Sequence, residues 1–222
     1  MEKDYVLTIL LKEIYLSQFK KIMVFKGGTA LHKLYLHKRI SMDLDFTAIG
    51  NIDIEEFKKV IIFPEINAEI KNIEEFSDAI TIKLNYIGVL KFKNSVKLDI
   101  SLREKPLLPL VNLVLETPYF EPFEITTFHL KEISAEKLRA TIQRKKPRDY
   151  FDIYLLLKNF EIQDLQELTK KKMDAVNRVY DLNSIFESLD DVQTLWKQDL
   201  IELVPELIDF NEVITFLRKK LC

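Results

Sequence analysis

The chain has 222 residues, enough for one or two domains, and its 47% hydrophobic and 31% charged residues are typical of a globular protein with a full core. The net charge of −2 gives no overall attraction to nucleic acid or to a membrane. The single cysteine, Cys222, excludes an internal disulfide and a cysteine-based metal site. The chain also lacks a secretion-signal pattern and a long apolar run, so we expect a cytoplasmic protein without membrane contact.

The first predicted elements are a helix, a strand and a glycine turn. Residues 5–20 show the spacing of an amphipathic helix, and the apolar run Ile22–Phe25 predicts a buried strand. Gly27 and Gly28 follow this strand, and Ala30–Leu36 again has helical spacing. A strand, a glycine turn and a helix N-terminus present free backbone N–H groups, which favour phosphate binding.

Two aspartates come next and supply the complementary charge. Asp43 and Asp45 are two residues apart, so in a strand they point to the same face, and Leu44 and Phe46 point to the opposite, core side. Carboxylates beside a phosphate-binding turn repel each other unless a cation lies between them, and Mg²⁺ binds carboxylate and phosphate oxygens together. The alternative is a surface strand with two solvated aspartates.

Two alternating segments further along predict half-buried strands over residues 80–86 and 96–102, and Asp99 lies on the polar face of the second. If this strand lies beside the Asp43–Asp45 strand, Asp99 reaches the same cation. Alternatively, Asp99 is one polar residue on a wet sheet face, paired with Lys83 or Lys97.

The rest of the chain divides into a loop region and a helical half. A helix is predicted over residues 54–61, ended by Pro64, and the proline-rich residues 106–122 predict a loop and edge region closed by a strand over 123–127. Glycine is absent after His129 and the pattern becomes helical, with a break at Pro147 and at least three helices in the last third. We therefore predict a mixed α/β domain (residues 1–128) and a helical domain (residues 129–222).

These motifs resemble a known toxin family. The runs Lys26–Leu31 and Arg39–Phe46 are similar to the AbiEii/AbiGii toxin family of the polymerase-β-like nucleotidyltransferase superfamily, with Thr29 where the superfamily often has serine. The resemblance implies a nucleotidyltransferase core with a mixed sheet, followed by a helical C-terminal half. It also implies a nucleoside triphosphate substrate and Mg²⁺ or Mn²⁺ as cofactor.

The resemblance assigns roles to individual residues. It implies a triphosphate site made by Lys26, Gly27, Gly28 and Thr29, while Arg39 is expected to reach phosphate and Ser41 to bond phosphate or close the turn. It also implies a metal site made by the three aspartates Asp43, Asp45 and Asp99, the last of which can accept the proton of the attacking hydroxyl.

The helical half contains a second block similar to the family. There the resemblance implies that Lys137 contacts the triphosphate and that Asp152 supports it, with Asp149 as the competing aspartate. The alternative is an i, i+4 surface pair of Arg148 and Asp152, with Lys137 as a solvated helix residue.

The resulting prediction is metal-dependent transfer of a nucleoside monophosphate to an acceptor, with release of pyrophosphate. The resemblance implies that the acceptor is a tRNA 3′ end and that the protein is a toxin restrained by an antitoxin encoded nearby. Alternatives are a protein or small-molecule acceptor, and a nucleotide-binding protein without catalysis. Three basic clusters, Arg144–Arg148, Lys170–Lys172 and Arg218–Lys220, are either an RNA footprint or solvated faces.

Overall fold

The computed structural model describes residues 2–62, 67–88 and 91–222, which form two compact units. Unit 1 comprises Met1–Tyr35 and Ser41–His129, and unit 2 comprises Leu36–Ile40 and Leu130–Cys222. The short segment Leu36–Ile40 therefore belongs to unit 2, although unit 1 surrounds it in the sequence. Pro64, predicted to end a helix, lies outside the described residues.

Unit 1 is built on a mixed seven-stranded sheet in the order β3-β4-β5-β2-β1-β7-β6. Neighbouring strands are antiparallel except for two parallel pairs, β2 with β5 and β1 with β7. The strands are β1 (Met23–Lys26), β2 (Leu44–Ala48), β3 (Glu69–Glu75), β4 (Ala79–Ile87), β5 (Lys93–Ser101), β6 (Val111–Leu115) and β7 (Phe123–Thr127). The helices are α1 (Glu2–Leu16), α2 (Gly27–Leu31), which continues as a π-helical turn over His32–Leu36, and α3 (Ile54–Ile61).

The two edge strands were not predicted as strands. β3 is rich in glutamate and mostly exposed, and β6 forms inside the proline-rich stretch that predicted a loop and edge region. Edge strands pair on one side only and carry charged residues or nearby prolines, so they lack the alternation that made β4 and β5 recognisable.

Helix α1 is tied to the sheet by the buried phenol of Tyr15. Its hydroxyl donates to the carbonyl of Thr126 at 2.7 Å and accepts from the amide of Phe25 at 3.0 Å. The helix ends at Leu16 rather than near residue 20, because the side chain of Ser17 caps a separate 3₁₀ turn over Gln18–Lys21. Burial raises the pKa of Tyr15 above its ordinary value.

Unit 2 is helical, which together with the mixed sheet of unit 1 confirms the predicted fold class. Its helices are α4 (Leu130–Arg144), α5 (Pro147–Asn159), α6 (Leu165–Asp174), α7 (Asp190–Leu200) and α8 (Phe210–Leu221). Pro147 occupies the first turn of α5, where its missing N–H costs nothing, so the predicted break begins a new helix. Among the described residues, none of the helices is long and apolar enough to cross a membrane.

A buried ion cluster joins α4 to α6. The ammonium of Lys172 lies 2.5 Å from Glu132 and 3.2 Å from Glu136, and its side chain is only 3% exposed. The predicted basic cluster Lys170–Lys172 is therefore not a uniformly solvated face, because one of its three lysines points into the helical core.

Candidate active site

Four polar residues form a row across the middle of the sheet. Thr81, Asp99, Asp45 and Lys26 are register partners on the adjacent strands β4, β5, β2 and β1. Register partners share a face, and neighbouring strands lie about 4.8 Å apart, so this polar row places Asp45 directly beside Asp99. The residues that alternate with this row along each strand, such as Leu98, point to the opposite face and are buried.

The glycine turn holds the carboxylate of Asp45. Gly27 has a φ of 74°, and a Cβ at this position would lie 2.1 Å from Oδ2 of Asp45. Only glycine therefore lets the backbone of the turn approach this carboxylate. The hydroxyl of Thr29 donates to the carbonyl of Asp43, which fixes the chain just ahead of β2.

The predicted phosphate-binding residues of unit 1 surround the start of α2. Lys26 is the N-cap residue and gives no side-chain cap, because an ammonium cannot accept from backbone N–H groups, and it pairs instead with Glu104 at 3.0 Å. Gly27, Gly28 and Thr29 form the first turn of α2, and Ser41 lies part-buried in the approach to β2. Glu104 was not predicted, since nothing in its sequence surroundings marks it as a partner of Lys26.

Both carboxylate oxygens of Asp99 already have partners. The hydroxyl of Thr81 donates to Oδ1 at 2.7 Å, and the ammonium of Lys97 lies 2.7 Å from Oδ2. The hydrogen bond to Asp99 raises the pKa of Lys97, and the negative charges of Asp99, Asp43 and Asp45 add to this increase. The pairing of Asp99 with Lys97 was the alternative prediction, and the structure combines it with the position beside Asp45.

A second lysine, Lys3 in α1, faces the same group. Burial lowers the pKa of Lys3, while the charge of Asp43 raises it and the charge of Lys83 lowers it. Lys83 and Lys97 are cross-strand partners, so their side chains lie on the same face of the sheet. Lys97 was named from the sequence as an alternative partner of Asp99, two residues before it in the strand, whereas Lys3 was not.

The donor chemistry of this group fits a hard divalent cation. Aspartate oxygens are preferred ligands of Mg²⁺ and Mn²⁺, and Gly27 leaves the space that the carboxylate of Asp45 occupies. Within residues 2–62, 67–88 and 91–222, no group of three or more His, Cys, Asp or Glu side chains is arranged to hold a metal ion. The residue types of Asp43, Asp45 and Asp99 fit such a cation, but the structure does not gather their side chains as three ligands, and the oxygens of Asp99 contact Thr81 and Lys97 instead.

Unit 2 contains its own buried ionic cluster around Asp152. Arg39 donates to both carboxylate oxygens, from Nε at 2.7 Å and Nη2 at 2.8 Å, and the ammonium of Lys137 lies 2.8 Å from Oδ2. The side chains of Asp152, Arg39 and Lys137 are 0%, 4% and 9% exposed. The Arg39 segment is held further by the amide of Ile40, which donates to the carbonyl of Leu203 at 2.7 Å.

This cluster corrects the alternative prediction for α5. Asp152 is not in a surface pair with Arg148, and Lys137 is not a solvated helix residue, because both are buried together. The competing Asp149 binds Arg144 through two hydrogen bonds, of 2.6 and 2.7 Å. Arg39, predicted to reach phosphate, binds Asp152 in this structure, a contact that sequence spacing alone could not reveal.

The fold and the sequence were compared with known proteins. The structure is similar to the crystal structure of JHP933 from Helicobacter pylori, with a TM-score of 0.67 and 22% identity over 97% of this chain and 87% of that one. It is also similar to MenT4, a nucleotidyltransferase toxin from Mycobacterium tuberculosis, with a TM-score of 0.74 and 20% identity over 99% of this chain and 81% of that one. At these identities the likeness shows the fold alone.

A comparison with curated proteins finds no match. The sequence model of a family described as nucleotidyl transferase AbiEii toxin, type IV toxin–antitoxin system, matches residues 9–216. The match spans both units, including the glycine turn, the polar row and the Asp152 cluster. The chain therefore belongs to the AbiEii family, the nucleotidyltransferase toxins of type IV toxin–antitoxin systems.

Proposed function

We propose that this toxin transfers a nucleoside monophosphate from a nucleoside triphosphate to the 3′ hydroxyl of a tRNA, using a divalent cation. The observation that carries the proposal is the in-register pair of Asp45 and Asp99 against the Gly27 turn. A nucleotidyltransferase has to place negative ligands beside a phosphate-binding turn, and this arrangement supplies both.

The chain's own residues would hold the triphosphate and receive the proton. The backbone N–H groups of Gly27, Gly28 and Thr29 point from the uncapped start of α2 and suit phosphate oxygens. The acceptor oxygen forms a bond to the α-phosphorus, and the bond from that phosphorus to the bridging oxygen breaks, so pyrophosphate leaves with the electron pair. The hydroxyl proton passes to Asp99, whose carboxylate oxygens each keep a second lone pair.

Asp43, Asp45 and Asp99 would hold Mg²⁺ or Mn²⁺. When bound, the cation would offset phosphate charge and lower the pKa of the attacking hydroxyl. The fit rests on the donor types and on the register of Asp45 with Asp99.

In unit 2, we propose that the ammonium of Lys137 binds a phosphate oxygen of the triphosphate and that Asp152 orients Lys137. The salt bridge of 2.8 Å fixes the ammonium of Lys137, so it loses little conformational freedom when it binds an anion. Arg39 shares the same carboxylate, and it lies four residues before Asp43 in the chain. We propose that Arg39 and Ser41 position the chain that leads to the aspartates or contact phosphate directly.

The test is transfer of label from each α-³²P nucleoside triphosphate to total RNA, total protein and small molecules from the same cells. We expect label in the tRNA fraction, and loss of at least about 100-fold in rate for Asp45→Asn. Asp78→Asn is the matched control, because it removes the same charge from an exposed ion pair with Arg103 in unit 1. Equal rates for Asp45→Asn and the wild type would refute the assignment.

The same experiment separates the alternatives. Label in protein or small molecules would replace the tRNA acceptor, and nucleotide binding without pyrophosphate release would support a non-catalytic role. Coexpression of the adjacent reading frame tests whether it encodes the antitoxin. The antitoxin is expected to act on the toxin in the cytoplasm and to relieve the growth arrest that the toxin causes.

A further inference from the structure

The ammonium of Lys97 binds a carboxylate oxygen of Asp99, one of the proposed metal ligands. It lies 2.7 Å from Oδ2 of Asp99, and Thr81 donates to the other oxygen, Oδ1. A cation that binds Asp99 must therefore displace one of these partners or bind close beside one of them.

Lys97 also carries a positive charge on which all three carboxylates act. The charges of Asp43 and Asp45 act on it together with that of Asp99. Asp45 and Asp99 are direct neighbours across two strands, and like charges in such a pair destabilise a sheet. One ammonium among these carboxylates offsets this repulsion when no metal is bound.

The two partners of Asp99 differ in how they tolerate a divalent cation. The neutral hydroxyl of Thr81 can keep its hydrogen bond, whereas an ammonium at the same carboxylate is repelled by the cation. The side chain of Lys97 is 46% exposed, so its ammonium has open solvent into which to move. The four-carbon stem is flexible enough for that movement.

We propose that Lys97 is an internal counter-ion of the carboxylate group and acts as a positioning residue. A divalent cation has to displace the ammonium of Lys97, and this displacement weakens cation binding. The inference rests on the proposed metal site at Asp43, Asp45 and Asp99. Its consequence is a toxin whose carboxylates stay correctly placed without metal and whose metal occupancy depends on the free cation concentration.

The experiment is titration of the nucleotide-free, full-length protein with Mn²⁺ by calorimetry. Replacing Lys97 with methionine keeps most of the length of the side chain and removes its charge, and the Kd for Mn²⁺ is expected to fall by about two- to fivefold, the range for a part-exposed ion pair. Lys97→Arg keeps the charge and is expected to retain a Kd near that of the wild type. Thermal unfolding of each variant without metal verifies that it is folded.

Lys93→Met is the matched control. Lys93 lies on the same strand and the same face as Lys97, and it pairs with Glu69 at 3.3 Å rather than with an aspartate of the site. Its Kd for Mn²⁺ is expected to equal that of the wild type, which excludes a general effect of removing one positive charge.

Two outcomes overturn different statements. An unchanged or higher Kd for folded Lys97→Met overturns the counter-ion role, and a simultaneous loss of nucleotide affinity would assign Lys97 to phosphate instead. Unchanged Mn²⁺ binding in Asp99→Asn overturns the proposed metal site itself, so the failure of the site and the failure of this inference are distinguishable.

Discussion

Removal of the Asp152 charge tests whether the ionic cluster of unit 2 is held by a single carboxylate. Asp152→Asn keeps the size of the side chain but leaves the guanidinium of Arg39 and the ammonium of Lys137 buried without this carboxylate. Buried cations cannot regain full hydration unless the surrounding helices open, so the substitution is expected to destabilise unit 2.

The magnitude follows from the burial. Asp152 is fully buried and neither cation is more than 9% exposed, so solvent screens the cluster little. Removing one partner of such a group costs about 3–5 kcal/mol of unfolding free energy. For a chain of this size, each kcal/mol shifts the melting temperature by about 2–4 °C, which gives a decrease of about 6–20 °C.

The chain provides its own reporter for this measurement. Trp196 is the only tryptophan, and it lies in unit 2 against Phe151 and Phe210, with its indole N–H donating to the carbonyl of Ile208. Urea unfolding followed by tryptophan fluorescence therefore measures the stability of unit 2.

Asp149→Asn is the matched control, on the same helix and one turn earlier. Its partner Arg144 is 55% exposed and can return to water, so we expect a smaller loss of about 1–2 kcal/mol. If Asp152→Asn loses no more stability than Asp149→Asn, the reasoning from burial is wrong.

Two further predictions concern the glycine turn and the buried tyrosines. Gly27→Ala forces a Cβ against Asp45 at a φ of 74°, so we expect a loss of about 1–3 kcal/mol and about 100-fold slower transfer. Gly50→Ala is the control for overpacking, because its Cβ would lie 2.6 Å from Ile22 at a backbone angle that is not positive, and it should not slow transfer. Wild-type transfer by Gly27→Ala would contradict the prediction. Burial raises the pKa of Tyr15 and Tyr150 above 10.0, so the unfolded state loses these protons first and the free energy of unfolding falls as the pH rises above about 10. Tyr15→Phe should make the unfolding free energy from urea titrations depend less steeply on pH, and an unchanged dependence would count against the prediction.

Local pattern was enough to predict much of unit 1. The alternation of Val96, Leu98 and Ile100 with polar residues predicted β5 and put Asp99 on its polar face. Adjacent glycines predicted the turn before α2, because few other residues allow a close backbone approach. By contrast, β3 and β6 have weak patterns, because edge strands are selected against further pairing as well as for burial.

The helical half was predicted as helical, but only some of its ionic partners were predicted. Amphipathic spacing identifies which face of α5 is buried, yet it cannot say which distant charge an aspartate on that face meets. Asp152 was predicted to orient Lys137 or, in the alternative, to pair with Arg148, and Lys137 does lie 2.8 Å from it. Its other partner, Arg39, is 113 residues away in the chain and was not predicted.

By itself, the sequence determined the kinds of element, the family and the residue types available for catalysis, because these depend on neighbours within a few positions. Tertiary structure alone decided that Asp45 faces Asp99 and that Arg39 reaches Asp152. The physical reason is that strand register and the burial of paired charges arise from packing between segments far apart in the chain. Their free energy depends on all the partners at once.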